Sequence, residues 1–113
     1  MHEMALTESM VEIALEEARK AGAKRIGRIV LDVGALSAVE PEAMMFCFSA
    51  VSAGTAAEGA ELEIERVEGA GLCLDCKKTV PLSERFGQCP ECGGYRVAVT
   101  KGDELRIREM EVV

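Results

Sequence analysis

The stretch that decides the fold is Cys73-Leu-Asp-Cys76, followed after twelve residues by Cys89-Pro-Glu-Cys92-Gly-Gly94. Within each pair a two-residue spacer lets the backbone curl so that both sulfurs aim at one point. The residues between the pairs suffice for a short hairpin that sets one pair opposite the other. Four thiolates so arranged make a tetrahedral soft-ligand site, for which zinc is the leading occupant. Cys73, Cys76, Cys89 and Cys92 leave such an ion no open coordination position, so no water is activated there and the zinc is expected to be structural. Disulfides are a weaker reading. They need an oxidising compartment, yet the opening residues Met1-His-Glu-Met-Ala-Leu-Thr-Glu8 show neither a basic nor an apolar leader segment, and five cysteines leave one unpaired. A dithiol redox centre needs a Cys-x-x-Cys that opens a helix, and neither pair is followed by a helical pattern. Iron in a rubredoxin-like site is the serious rival, because Cys92-Gly-Gly is a turn in which glycine lets backbone N–H groups approach sulfur. The other pair, continuing Cys76-Lys-Lys, lacks that glycine.

Around the cysteines there is little apolar matter. Between residues 69 and 99 the large apolar side chains are Leu72, Leu74, Val80, Leu82, Phe86, Tyr95, Val97 and Val99. Burial cannot offset the chain entropy of such a segment, so it is expected to fold only with its ion. The whole chain, 113 residues at 49% apolar, has room for one small domain carrying a metal-clipped lobe. A net charge of −7, made more negative by four thiolates on one dication, opposes phosphate neutralisation and hence nucleic-acid binding. The longest apolar run, near residues 43–53, is interrupted by Ser49 and Ser52 and is too short to cross a bilayer. A soluble, cytoplasmic protein without membrane association is expected.

Outside the ribbon the periodicity reads as helix, strand, helix, strand, strand. Leu6, Met10, Ile13, Ala14 and Ala21, with Val11, Leu15 and Ala18 beside them, mark an amphipathic helix capped by Thr7 or Ser9 and ended near Gly22. Arg25 to Gly34 reads as a central strand with Ile29, Leu31 and Val33 on one face. Glu40-Pro41-Glu42 opens a second helix with Met44, Phe48 and Val51 toward the core. Cys47 in that helix reads as a small buried hydrophobe and Met44-Met45 as adaptable core rather than a metal site. Glu61-Leu-Glu-Ile-Glu65 alternates as a strand, and so does 104–113, with an apolar phase shift between Ile107 and Met110. These two strands read as plausible neighbours; if they pair, Arg106 and Arg108 lie beside Glu61, Glu63 and Glu65, the equal alternative being a merely solvated charged face. The expected architecture is α+β: two helices on a three-stranded sheet formed by residues 1–68 and 100–113, with an inserted zinc-binding ribbon at 69–99. No phosphate-binding glycine loop, catalytic triad or paired acid and base stands out, so an enzyme is not expected.

The remaining chemistry is at the start. Met1-His2-Glu3 sets the only histidine of the chain beside the α-amine, and an amine, an amide nitrogen and an imidazole together suit the square-planar preference of Ni(II) or Cu(II). A frayed terminal residue is the plain alternative.

With Met1-His2-Glu3, the stretch Val30-Leu-Asp-Val-Gly-Ala-Leu-Ser37, the Glu61 to Glu65 strand, both Cys-x-x-Cys pairs and the closing Gly102-Asp-Glu-Leu105, the chain resembles the HypA/HybF family of hydrogenase nickel-incorporation proteins along essentially its whole length. The resemblance implies a metallochaperone that carries Ni(II) to [NiFe]-hydrogenase during maturation, acting with a HypB-type GTPase and on the hydrogenase large subunit. In some organisms the family also serves urease. It implies His2 as nickel ligand and Cys73, Cys76, Cys89 and Cys92 as ligands of a structural zinc, with Glu3 either touching nickel or tuning the site. Nothing in it opposes a homodimer. The rival readings are a zinc-ribbon interaction module without metal transfer, indifferent to a change at His2, and a rubredoxin-like electron carrier, betrayed by a red iron-thiolate colour.

Overall fold

In the computed structural model, which describes residues 3–113, helix α1 (Glu3–Lys20) is followed by strand β1 (Ile26–Gly34), helix α2 (Pro41–Ser52) and strand β2 (Glu61–Val67). Strands β3 (Gly69–Cys73), β4 (Thr79–Leu82) and β5 (Val97–Lys101) come next, and β6 (Leu105–Val112) follows them. The sheets have strand orders β2-β1-β6 and β4-β3-β5, which gives the α+β architecture expected.

Met10, Val11, Ala14 and Ala18 form the buried stripe of α1. Ile13, expected in that stripe, is 57% exposed. The helix also begins at Glu3, ahead of the caps expected at Thr7 or Ser9. Thr7 instead lies inside it, buried, with its hydroxyl donating to the Glu3 carbonyl one turn back at 2.6 Å. A threonine satisfied on the preceding turn no longer competes with the helix, so its cap propensity does not mark a start. The C-terminal reading holds: Gly22 takes φ +71°, Ala23 N–H donates to Ala18 O at 2.9 Å, and Gly22 N–H donates to Arg19 O at 3.0 Å, a Schellman closure.

Helix α2 packs against α1 and starts at Pro41. Its buried residues are Met44, Cys47, Phe48 and Ser52, so Cys47 is the small core residue expected, while Val51 is only half-buried. Glu40 at its N-cap makes no side-chain capping bond of its own. Glu3 serves there instead: the Glu40 N–H donates to its Oε2 at 3.3 Å.

Strand β1 is central because its middle is covered on both faces. Ile29, Leu31 and Val33 are buried, and so is Val30 between them, which is why the run reads as almost continuously apolar. Its position corrects the expected pairing of Glu61–Glu65 with the last strand: β2 and β6 flank β1 and do not pair with each other. The opposite charges still meet, with β1 as the hub. Arg28 reaches Glu63 at 2.7 Å and Glu111 at 2.8 Å, and Arg108 reaches Glu65 at 3.3 Å. Asp32, whose side chain is 6% exposed, lies 3.2 Å from Arg106 and 3.5 Å from Arg108, since a carboxylate so deep needs cationic partners. Along β6 the half-buried residues are Leu105, Ile107 and Met110, the phase shift read from the sequence.

The chain divides into two compact units, one of Met1–Asp32, Val39–Glu65 and Arg106–Val113, the other of Val33–Ala38 and Arg66–Leu105. In the second, the expected hairpin is β3 with β4, antiparallel with Gly71 opposite Val80, and β5 adds a third strand on the other side of β3 with Leu72 opposite Ala98. The segment after β1 is bound into this unit: Gly34 N–H donates to Glu104 O, Ala35 N–H to Val67 O and Leu36 N–H to Gly102 O, all at 2.7–2.8 Å. Gly34 and Gly102 meet so closely that a Cβ on Gly34 would fall 2.0 Å from the Gly102 carbonyl oxygen. That contact accounts for glycine at 34, while Gly102 has φ +99° and a Cβ on it would fall 2.4 Å from the Gly69 Cα.

Candidate metal centre

The two cysteine pairs sit on turns of the same design. In the first, Cys73 ends β3, its N–H donates to Lys78 O at 2.9 Å, and Lys77 N–H donates back to Cys73 O at 2.8 Å. In the second, Cys89 N–H donates to Gly94 O at 2.7 Å and Gly93 N–H to Cys89 O at 2.9 Å. The residue after each second cysteine has a left-handed backbone, Lys77 with φ +63° and Gly93 with φ +77°. Lysine therefore occupies a conformation that suits glycine, and the missing glycine noted in Cys76-Lys-Lys does not change the shape of the turn. A side chain in that region costs about 1–2 kcal/mol. Lys77→Gly is expected to stabilise the metal-loaded ribbon against denaturant by about 1 kcal/mol and Gly93→Ala to weaken it by about as much. Unfolding midpoints unmoved by either change would show that the turns do not carry this strain.

The turns bring Cys73, Cys76, Cys89 and Cys92 together with their sulfurs all within 4.8 Å of one another. Cys73 Sγ lies 3.6 Å from Cys92 Sγ, and Cys76 Sγ lies 3.8 Å from Cys89 Sγ. A tetrahedron with metal–sulfur bonds of about 2.3 Å has edges of about 3.8 Å, so these separations suit one ion shared by both pairs, and they are far too long for disulfides. All five cysteines of the chain are free. Behind the sulfurs there is little else: Cys73, Val80 and Cys89 form the buried cluster, with Cys76 and Val97 packed on it, and Leu82 is buried as well, whereas Leu72, Leu74, Phe86 and Tyr95 are exposed. The core of the ribbon is the sulfur cluster itself.

Electrostatics favours a cation at the cluster. Backbone N–H groups of Cys76 and then Asp75 donate to Cys73 and hold its thiol down at about 7. Cys92 also receives a donor, from Gly94, but is pushed up to about 12 by Cys73, burial, Cys89 and Cys76, which together outweigh it. One thiol of the cluster ionises readily and the last resists, because thiolates this close repel; a dication reverses that order and takes all four as thiolates. Beside the cluster, Arg96 donates to Asp75 at 2.6 and 3.0 Å, joining the first turn to the approach of β5 and setting a positive charge near Cys73. Lys78 pairs with Glu91 at 3.4 Å, linking the two turns.

Of the other singled-out residues, His2 lies outside the described residues. Glu3 is described, is 9% exposed, and directs a carboxylate oxygen to the N-terminus of α2. No spacing rule could have revealed this role, because its partner is thirty-seven residues away.

An α+β lobe joined to a ribbon whose core is a closed four-sulfur site defines a small metal-handling protein with a structural ion. Comparison with known proteins gives the family. Residues 1–112 match the family model described as hydrogenase/urease nickel incorporation, metallochaperone, HypA. Similar proteins include the hydrogenase maturation factor HypA of Rhizobium leguminosarum bv. viciae, 58% identical over the full length of both chains, and that of Dechloromonas aromatica, 48% identical over 99% of each. Among solved structures, the solution structure of the Ni metallochaperone HypA from Helicobacter pylori matches with TM-score 0.74 at 26% identity, over 100% of this chain and 98% of that one. The chain belongs to the HypA family of nickel-incorporation metallochaperones.

Proposed function

We propose that this chain carries Ni(II) to [NiFe]-hydrogenase during maturation, holding it through the imidazole of His2, while Cys73, Cys76, Cys89 and Cys92 hold a structural zinc. Family membership over residues 1–112 is the observation that carries the reading. The four converging sulfurs support the zinc part, since a closed tetrathiolate site neither releases its ion readily nor activates water. In this reading residues 1–68 with 100–113 form the nickel-binding domain and 69–99 the inserted zinc-binding ribbon. The protein acts in the cytoplasm without catalysis of its own and docks on a HypB-type GTPase and on the hydrogenase large subunit. The same cargo would serve urease where that enzyme is the client.

Glu3 acts as a positioning residue. Its carboxylate is engaged at the start of α2, which holds the backbone next to His2 in place. The delivery reading is tested by loading the purified chain with one Ni(II) and mixing it with nickel-free hydrogenase precursor and the GTPase. Nickel is expected to move to the large subunit faster than from an equal concentration of a small-molecule nickel chelate. Equal rates would leave a zinc-ribbon module without metal transfer.

One observation favours a second reading. Both turns have the left-handed residue and the N–H to sulfur bonds of a rubredoxin-like site, so the geometry suits iron as well as zinc. A purified protein free of visible iron-thiolate absorption, with zinc by elemental analysis, disposes of it.

A further inference from the structure

We propose that the loop 83–87 and the groove beside it dock an extended segment of a partner protein in which a lysine or arginine adjoins an apolar side chain. The groove has a volume of about 700 Å³, and Glu68, Pro81, Ser83, Glu84, Gly87 and Gln88 are among its walls. Its charged wall residues are Glu68 and Glu84, and neither forms an ion pair among the described residues. Two carboxylates in a concave wall with no cation between them concentrate negative potential and favour a basic group.

Phe86 supplies the apolar half. It stands between the wall residues Glu84 and Gly87, is 90% exposed, and has φ +60°. A bulky residue in the left-handed region is strained, and a ring left in water gains nothing from burial to offset that strain. The surroundings hold it in place: Arg85 Nε donates to Leu36 O at 3.1 Å, and the Arg85 guanidinium lies 3.6 Å from Asp103. An exposed aromatic ring on a loop anchored through Arg85, beside an acidic groove, is the form of an anchor for a basic and apolar segment. The neighbouring strand β4 is an edge of its sheet, but Pro81 removes a backbone donor there, so side chains rather than an added strand hold the segment. The surface is distinct from the sulfur cluster and does not depend on nickel carriage.

The test is a chemical-shift titration of the ¹⁵N-labelled, zinc-loaded full chain with a capped Lys-Leu-Lys-Leu peptide and its Glu-Leu-Glu-Leu counterpart. The lysine peptide is expected to shift residues 68–69 and 81–90 with a dissociation constant of about 1 mM, as suits a short flexible ligand. Glu84→Gln and Phe86→Gly should each weaken binding roughly five- to tenfold. Glycine relieves the positive φ, so Phe86→Gly keeps the loop folded, which unchanged zinc content and an unchanged spectrum elsewhere would verify. Absence of saturable shifts, shifts located elsewhere, equal binding of the glutamate peptide, or affinity untouched by both substitutions would overturn the proposal.

Discussion

Replacing Cys92 by alanine should unfold the ribbon while the helices stay folded. The ribbon's buried cluster is Cys73, Val80 and Cys89, with Leu82 also buried, while its other large apolar side chains Leu72, Leu74, Phe86 and Tyr95 lie at the surface. Burial of Val80 and Leu82 yields about 1.5–3 kcal/mol each, against about 1–2 kcal/mol of backbone entropy for every residue ordered. The ion must supply the difference, and structural zinc sites release about 10–16 kcal/mol on binding in small peptides. Three thiolates cannot close the tetrahedron, and Cys92 is the ligand that most needs the cation in order to ionise. Hydrogen exchange should therefore lose its protection over residues 72–97 in Cys92→Ala, and equally in Cys76→Ala or after zinc is stripped by a chelator. Amides of α1 and α2 should keep theirs, because those helices pack on each other and bury Val11, Ala14, Met44 and Phe48 within their own unit. Protection retained across 72–97 in the metal-free protein would mean that the ribbon folds on its own and that the ion is dispensable.

Replacing His2 by alanine should abolish high-affinity nickel binding and leave the zinc content unchanged. An imidazole nitrogen is a primary donor for Ni(II), so its loss should exceed the roughly 10–100-fold cost of disturbing a ligand's supporting partners. Glu3→Gln, which keeps the shape and weakens the acceptor at the Glu40 N–H, should fall within that smaller range. Protons compete with the metal for imidazole, whose reference pKa is about 6.5, so nickel affinity in the unaltered protein should fall as pH drops below neutral. His2→Ala should lose that part of the pH dependence together with the affinity. A competition titration against a chelator reads both effects. An unchanged affinity in His2→Ala would move the nickel site elsewhere.

Some features could be read directly because the physics that sets them is local. The spacing of the two cysteine pairs is enough to bring four sulfurs together, since each pair is closed by its own turn and the stretch between the pairs is short. The run around Ile29, Val30 and Leu31 announces a central strand, because a strand covered on both faces has no polar alternation to show. Gly22 ends α1 as its sequence suggests, since a left-handed residue after a helix is a matter of one turn.

What the sequence by itself determined, then, is the kind and order of the elements outside the ribbon, the convergence of the four sulfurs, and, through resemblance, the family; the third ribbon strand β5 was not among them. Only the tertiary structure decided which strand lies between which. The alternating charges of β2 and β6 are complementary and invited a direct pairing, but β1 stands between them, its Arg28 pairing with Glu63 of β2 and Glu111 of β6 and its Asp32 with Arg106 and Arg108 of β6. It also decided the roles of Glu3, Lys77 and Phe86. Glu3 and Phe86 depend on distant chain, through the Glu40 N–H and the anchoring of Arg85 on Leu36, whereas Lys77 takes a backbone angle set by the closure of its own cysteine turn, against its residue preference. Propensity and periodicity report what a residue prefers among its near neighbours in the chain. Long-range packing holds residues against that preference, and such positions become visible only once the chain has folded.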